Sequence, residues 1–121
     1  MKYRLTEEAG TDIADILRQT KKLFGPKQVS TYAKLIDDCI AMIAAEPSRP
    51  SSSERNDLKK GVRSFHLELV NRRRHSASHL VYYTVIHAAN GDPEVIVIRV
   101  LHESMEPRRR LVRALRRQET H

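Results

Sequence analysis

The spacing of apolar residues changes partway along this 121-residue chain. In the first half they recur at helical spacing, on two segments that meet at Gly25-Pro26. From Phe65 onward they alternate with polar residues or form short continuous runs, which is typical of strands. Neither kind of element can bury its apolar face alone. The change of period therefore predicts an α+β fold, with a helical layer packed on a sheet.

The two helices have clear boundaries in the sequence. Thr6 is predicted to cap the first helix, with Glu7 and Glu8 in the first turn, where the helix dipole favours acidic side chains. Gly25 is predicted to end this helix and Pro26 to begin the next, giving an antiparallel helical hairpin. Their apolar stripes are Ala9, Ile13, Ile16, Leu17, Thr20 and Phe24 on the first helix, and Val29, Tyr32, Ala33, Ile36, Cys39, Ile40 and Ile43 on the second.

The second half predicts most of the sheet. Phe65, Leu67 and Leu69 alternate with polar residues, as in a half-buried strand. Two denser runs, residues 80–86 and 95–101, flank the turn sequence Asn90-Gly91-Asp92-Pro93 and predict an antiparallel hairpin at the centre of the sheet.

Two terminal elements complete the predicted order. Residues 3–5 are predicted to form a short first strand, and Pro107 to begin a last helix with Leu111, Val112 and Leu115 on its inner side. The result is one domain over residues 1–121, a β-α-α-β-β-β order on a mostly antiparallel sheet. Residues 104–121 add an Arg-rich C-terminal helix or tail.

The chain is basic, with a formal charge of +7 and an isoelectric point near 9.9. Most of the excess lies in the second half, in two arginine clusters, and it predicts an acidic partner, either nucleic acid or an acidic protein. The clusters are Arg72-Arg73-Arg74-His75 and the C-terminal set Arg108, Arg109, Arg110, Arg113, Arg116 and Arg117.

Composition excludes several classes of protein. A single cysteine, Cys39, rules out an internal disulfide framework and a multi-cysteine zinc site, and we predict no metal and no cofactor. No apolar run approaches the roughly eighteen residues of a membrane span. The first residues lack the apolar stretch of a signal peptide, so we expect a cytoplasmic protein without a membrane partner.

Four segments together resemble the RelE/ParE toxin superfamily over residues 3–107, and the last of them resembles the ParE branch. The stretch from Glu68 to Ser78 is longer than the turn typical of that family, and we interpret it as an extended hairpin tip. The four segments are Tyr3-Arg4-Leu5-Thr6-Glu7-Glu8-Ala9, Leu58-Lys59-Lys60-Gly61-Val62-Arg63-Ser64-Phe65, His79-Leu80-Val81-Tyr82-Tyr83, and Arg99-Val100-Leu101-His102 with Met105-Glu106-Pro107.

The resemblance implies the toxin of a type II toxin–antitoxin pair, held in a hetero-oligomeric complex by an acidic antitoxin of the DNA-binding type. ParE-like members inhibit DNA gyrase, whereas RelE-like members cleave mRNA on the ribosome. We expect gyrase inhibition, with the ribosome-dependent mRNA endonuclease as the alternative and a basic nucleic-acid-binding module as a further alternative.

A metal-independent nuclease needs a general base, a general acid and cations at the phosphate. If the chain is one, the candidates are Arg63, His66, Arg99 and His102. Residues three apart project to opposite faces of a regular strand, so Arg63 and His66 are poor partners. The same holds for Arg99 and His102 unless the strand ends or bulges near Leu101. A structural role is the competing interpretation. In it, Arg99 either reaches solvent or pairs with an acid, for which the first helix is one source, and His102 forms hydrogen bonds at a strand end.

The arginine clusters are the other candidate site. We predict that they bind the antitoxin or the target, although a solvated hairpin tip and a solvated tail would have the same sequence. The residues are Arg72, Arg73, Arg74, Arg108, Arg109, Arg110, Arg113 and Arg116.

Overall fold

The computed structural model describes residues 1–73 and 76–119. In chain order the elements are strand β1 (Lys2–Leu5), helices α1 (Glu7–Phe24) and α2 (Pro26–Ala45), strands β2 (Ser53–Glu54) and β3 (Arg63–His66), a 3₁₀ turn (Leu67–Leu69), strands β4 (His79–His87) and β5 (Pro93–His102), and helix α3 (Arg108–Glu119). This is the predicted α+β order, with one short strand, β2, that the sequence did not reveal.

The strands form one sheet in the order β1-β5-β4-β3-β2, with β1 parallel to β5 and every other pair antiparallel. The β4–β5 hairpin lies inside the sheet, as predicted. Its turn places Gly91 at φ +88°, a conformation that glycine adopts without steric cost. Helices pack against both faces of the hairpin, which agrees with strands that are apolar on both sides.

Two apolar cores lie on opposite faces of the sheet. Helices α1 and α2 cover one face, where Ile36, Ile43 and Phe65 are buried. Helix α3 covers part of the other face, where Leu111 and Ala114 pack near Ile98 and Leu101.

The boundaries of α1 follow the sequence. The Thr6 hydroxyl oxygen accepts a hydrogen bond from the Ala9 N–H at 3.0 Å, so Thr6 is the predicted cap. Gly25 ends the helix at φ +88° and Pro26 begins α2, as predicted.

Three expectations about single elements were wrong. The third strand ends at His66, because the Glu68 N–H donates to His66 Nδ1 and the chain turns, although Leu67 and Leu69 still pack in the core. Phe24 is 68% exposed, because it lies at the rim of an open groove. On α3 the inner position expected for Val112 belongs to Ala114, and Val112 is exposed.

Candidate functional site

The edge of β5 beyond its pairing with β1 is closed by the first turns of α1. Strand β1 pairs with β5 only as far as Leu5 and Val97. The next polar groups of β5 bind side chains instead: the Thr6 hydroxyl donates to the Ile98 carbonyl at 2.7 Å, and the Val100 N–H donates to Asp12 Oδ2 at 3.0 Å. The sequence thus provides two side chains for backbone groups that would otherwise be buried without partners.

The same carboxylate holds Arg99, one of the candidate nuclease residues. Arg99 Nε and Nη2 donate to the two oxygens of Asp12 at 2.7 and 2.8 Å. The side chains are only 15% and 11% exposed, and the pairing raises the pKa of Arg99. Arg99 also donates to the carbonyl of Arg110, and so it ties α1 and α3 to the sheet. Of the two structural alternatives for Arg99, solvent or an acid, the structure shows the acid, Asp12 of the first helix.

A register shift in β4–β5 accounts for the position of Arg99. Tyr82 lies opposite Arg99 whereas Tyr83 lies opposite Val97, so β5 has one extra residue at this point. The bulge breaks the alternation of side chains that a regular strand has. It lies earlier in the strand than Leu101, where we considered one.

Arg63 lies near the opposite edge of the sheet. Its Nε donates to the Ser52 hydroxyl at 2.9 Å, and its Nη2 is within hydrogen-bond distance of the carbonyls of Ser52 and Arg49. Glu54 on β2 lies 3.5 Å from Nη1. Arg63 therefore binds the loop that joins α2 to β2, and its side chain is mostly buried there.

Histidines gather at one end of the sheet. His66 Nδ1 accepts the Glu68 N–H, so the proton is on Nε2, which donates to the Glu103 carboxylate at 2.8 Å. His79 and His102 lie opposite each other on β4 and β5, with ring centroids 5.3 Å apart. His102 Nδ1 accepts the N–H of Ser104, which is the strand-end hydrogen bond that we expected as its structural role.

His79 has a lowered pKa. Its Nδ1 accepts a hydrogen bond from the Tyr32 hydroxyl at 2.6 Å. Burial, reinforced by His102 and His66, lowers the pKa of His79 to about 4. The ring is therefore neutral at pH 7 and cannot supply a positive charge to a phosphate.

The four nuclease candidates do not meet around one point. Arg99 and Arg63 bind opposite edges of the sheet, whereas His66 and His102 lie at its histidine-bearing end. Their hydrogen bonds and ion pairs satisfy internal groups. This arrangement favours the structural interpretation of these side chains.

A long groove runs beside the helical hairpin at that end of the sheet. Three adjoining concavities of about 620, 430 and 620 Å³ share lining residues such as Phe24, Tyr32 and His79. Leu23, Phe24 and Met105 are exposed along the first of them. We call this surface the hairpin groove. Phe24 continues the apolar stripe of α1 and was predicted to be covered, but it lies exposed in this groove.

The C-terminal arginines divide between internal contacts and solvent. Arg108 and Arg110 bind neighbouring loop groups, at the Asp57 and Glu106 carbonyls respectively. Arg117 pairs with Glu7 of α1 at 3.0 Å.

The remaining three, Arg109, Arg113 and Arg116, share one face of α3 with Val112, at spacings of three, four and seven residues. All four side chains are exposed, and within the part of the chain that the structure describes these three arginines have no ion-pair partner. We call them the arginine stripe. Like charges three and four residues apart repel each other, so the stripe costs helix stability and favours a bound anion.

The second cluster lies on the other side of the sheet. Arg72 is exposed with φ +54°, and Arg73 lies at the end of the hairpin groove near α2. Arg74 lies outside the described residues. Because α3 covers the opposite face, a single partner must wrap around the protein to contact both clusters.

Two further properties concern the described residues alone. Among residues 1–73 and 76–119, no three histidine, cysteine, aspartate or glutamate side chains are grouped so that they could hold a metal ion. No helix in these ranges is long and apolar enough to cross a membrane.

Comparison with known proteins agrees with this fold. Residues 3–107 match the family described as the ParE toxin of the type II toxin–antitoxin system parDE. The chain is also 34% identical over 109 residues to toxin ParE1 of Caulobacter vibrioides, covering 90% of this chain and 96% of that protein. The match spans both the helical hairpin and the whole sheet, and the chain therefore belongs to the ParE family of type II toxins.

Proposed function

We propose that this toxin inhibits DNA gyrase and is neutralised by a cognate acidic antitoxin in a hetero-oligomeric complex. One observation carries the proposal: the arginines of the sheet are bound internally, whereas the arginine stripe of α3 is presented to solvent. A toxin that cleaves RNA must direct its cations at the scissile phosphate, but Arg63 and Arg99 are directed at the protein's own groups. A toxin that acts by binding needs only an accessible surface.

The stripe suits an acidic protein segment. Arg109, Arg113 and Arg116 lie along two turns of a helix that is anchored by Leu111 and Ala114, so the charges are held at a fixed spacing. Antitoxin tails that order on binding spread their contacts over a wide surface, which offsets the cost of ordering. We assign Arg73, on the other side of the sheet, to the same tail. Action on gyrase places the protein in the cytoplasm.

A supercoiling assay tests the target. Purified toxin should block supercoiling of relaxed plasmid by gyrase and cause DNA damage when it is expressed, while cellular mRNA stays intact. Cleavage of translated mRNA between codon positions would instead favour the ribosome-dependent endonuclease. Tight binding to duplex DNA, falling steeply with salt and without any effect on gyrase, would favour the basic nucleic-acid-binding module.

A triple variant tests the stripe. Arg109, Arg113 and Arg116 are replaced by Ser, and affinity for the antitoxin is measured by calorimetry at two salt concentrations. We expect about tenfold weaker binding at low salt and a shallower salt dependence, because three charge contacts are lost. The matched control replaces Lys21, Lys22 and Lys27, three exposed cations near the α1–α2 turn, and should bind normally. Unchanged affinity and salt dependence in the stripe variant would show that the antitoxin does not bind this surface.

A further inference from the structure

Helix α3 leaves part of its sheet face uncovered, and a groove remains between α3 and the strands. Two adjoining concavities of about 310 and 170 Å³ share Lys59 and Leu115. The floor is apolar: Ile96 is buried beneath it, and Ile86 and Leu115 are partly exposed. We call this surface the α3 groove. It lies on the face opposite the hairpin groove.

Cations surround this apolar floor. Lys59, Lys60, Arg4 and Arg116 line the two concavities, and all four side chains are exposed. None of the described residues that line the groove is acidic, although Glu94 pairs with Arg4 beside it at 2.7 Å. The hairpin groove, in contrast, has charges of both signs in its walls: Asp15, Asp38, Lys34 and Arg73. Charge therefore distinguishes the two grooves, and it favours an acidic occupant for the α3 groove.

The two lysines lie on a turn that is fixed by hydrogen bonds. Gly61 adopts φ +90°, its N–H donates to Asn56 Oδ1 at 3.1 Å, and its carbonyl accepts from the Thr84 hydroxyl at 3.0 Å. The Val62 N–H donates to the Lys59 carbonyl at 3.1 Å and completes the turn. A rigid turn loses less backbone entropy when its side chains bind an anion.

We propose that the α3 groove binds an acidic amphipathic segment of the antitoxin. Apolar side chains of that segment pack on Ile86 and Leu115, and its carboxylates pair with Lys59, Lys60 and Arg116. The cationic rim pairs with the acidic face of the segment, and the floor buries its apolar face. Charge complementarity therefore fixes the orientation of the segment in the groove. This inference rests on the proposed neutralisation by an antitoxin and adds the place where it binds.

The test uses the full-length toxin and the protein encoded by the adjacent reading frame. The double variant Lys59→Ser/Lys60→Ser is compared with Lys21→Ser/Lys22→Ser, which removes the same charge from the exposed end of α1. We expect the first variant to bind the antitoxin about tenfold more weakly, with a reduced salt dependence, and the second to bind as the wild type does. Circular dichroism verifies that both variants are folded.

A second variant separates the floor from the rim. Ile86→Ser should weaken antitoxin binding without changing its salt dependence, because it removes apolar contact and no charge. Wild-type affinity in the Lys59→Ser/Lys60→Ser variant would overturn the inference and leave the proposed function in place. Loss of gyrase inhibition with unchanged antitoxin affinity would also overturn it. Failure of the wild-type toxin to bind the antitoxin at all would refute the proposed neutralisation instead.

Discussion

Replacement of Asp12 by Ala should strongly destabilise the fold, although Asp12 is one residue of a surface helix. Its carboxylate accepts two hydrogen bonds from Arg99 and one from the Val100 N–H, at 2.7–3.0 Å. The variant leaves the guanidinium of Arg99 without its carboxylate, in a place where only 15% of the side chain reaches solvent. It also leaves the Val100 N–H of β5 without its acceptor.

The magnitude follows from the burial of both partners. Removing one partner of a buried ion pair costs about 3–5 kcal/mol, because a buried charge remains without compensation. The orphaned Val100 N–H adds to this cost, although water entering the truncated site offsets part of it. We therefore expect Asp12→Ala to lower the free energy of unfolding by about 3–5 kcal/mol. Asp12→Asn should cost less, because its amide oxygen can still accept the Val100 N–H.

Urea denaturation followed by circular dichroism measures the effect. Asp15→Ala is the matched control, since Asp15 lies three residues further along α1 and pairs with Arg18 in solvent, where the two side chains are 61% and 73% exposed. We expect that control to change the free energy of unfolding by less than about 1 kcal/mol. If the two variants were equally stable, the structural role of the Asp12–Arg99 pair would be refuted.

Three further predictions concern other buried groups. Thr6→Ala should cost about 2 kcal/mol in the free energy of unfolding, since it loses the α1 cap and the bond to Ile98, whereas Thr6→Ser should be close to wild type. The free energy of unfolding should fall as the pH drops from 6.5 to 4, because the unfolded chain takes up a proton that folded His79, with its pKa of about 4, does not. After allowance for solvent screening, the expected loss is about 1–2 kcal/mol. His79→Gln should flatten this pH dependence, measured by urea denaturation. Burial raises the pKa of the Cys39 thiol to about 12, so an aromatic disulfide reagent monitored by absorbance should react with it only after denaturant is added; rapid reaction of the native protein would contradict the buried position.

Sequence patterns predicted the fold where neighbouring residues decide the conformation. Thr6, followed by Glu7 and Glu8, sets the start of α1 within one turn. Gly25-Pro26 and the turn at Gly91 act in the same local way. The candidate site was less predictable: the pairing of Arg99 with an acid was one of two structural alternatives considered, and the α3 groove was not predicted.

The errors at the third strand and at Phe24 have one physical cause: contacts outside the local sequence pattern decide the conformation and the burial. Alternating apolar residues at Leu67 and Leu69 fit either a strand or a 3₁₀ turn, and the hydrogen bond from Glu68 to His66 decides for the turn. The stripe of α1 continues through Phe24, but whether that ring is covered depends on which parts of the chain lie beside it. Local patterns predict which face of a helix is apolar, but they do not predict how much of that face other elements bury.

The sequence by itself determined the α+β class and the order of the elements apart from β2, because backbone preferences and hydrophobic periods act over a few residues. The family was indicated by the resemblance of four segments. Tertiary structure alone decided which charges remain available. Asp12 and Arg99 are 87 positions apart, yet they neutralise each other, whereas Arg109, Arg113 and Arg116 remain in solvent. Whether a charged side chain is paired or stays in solvent depends on the groups that folding brings within a few ångströms of it. Coulomb attraction in a partly buried site is strong only at contact distance.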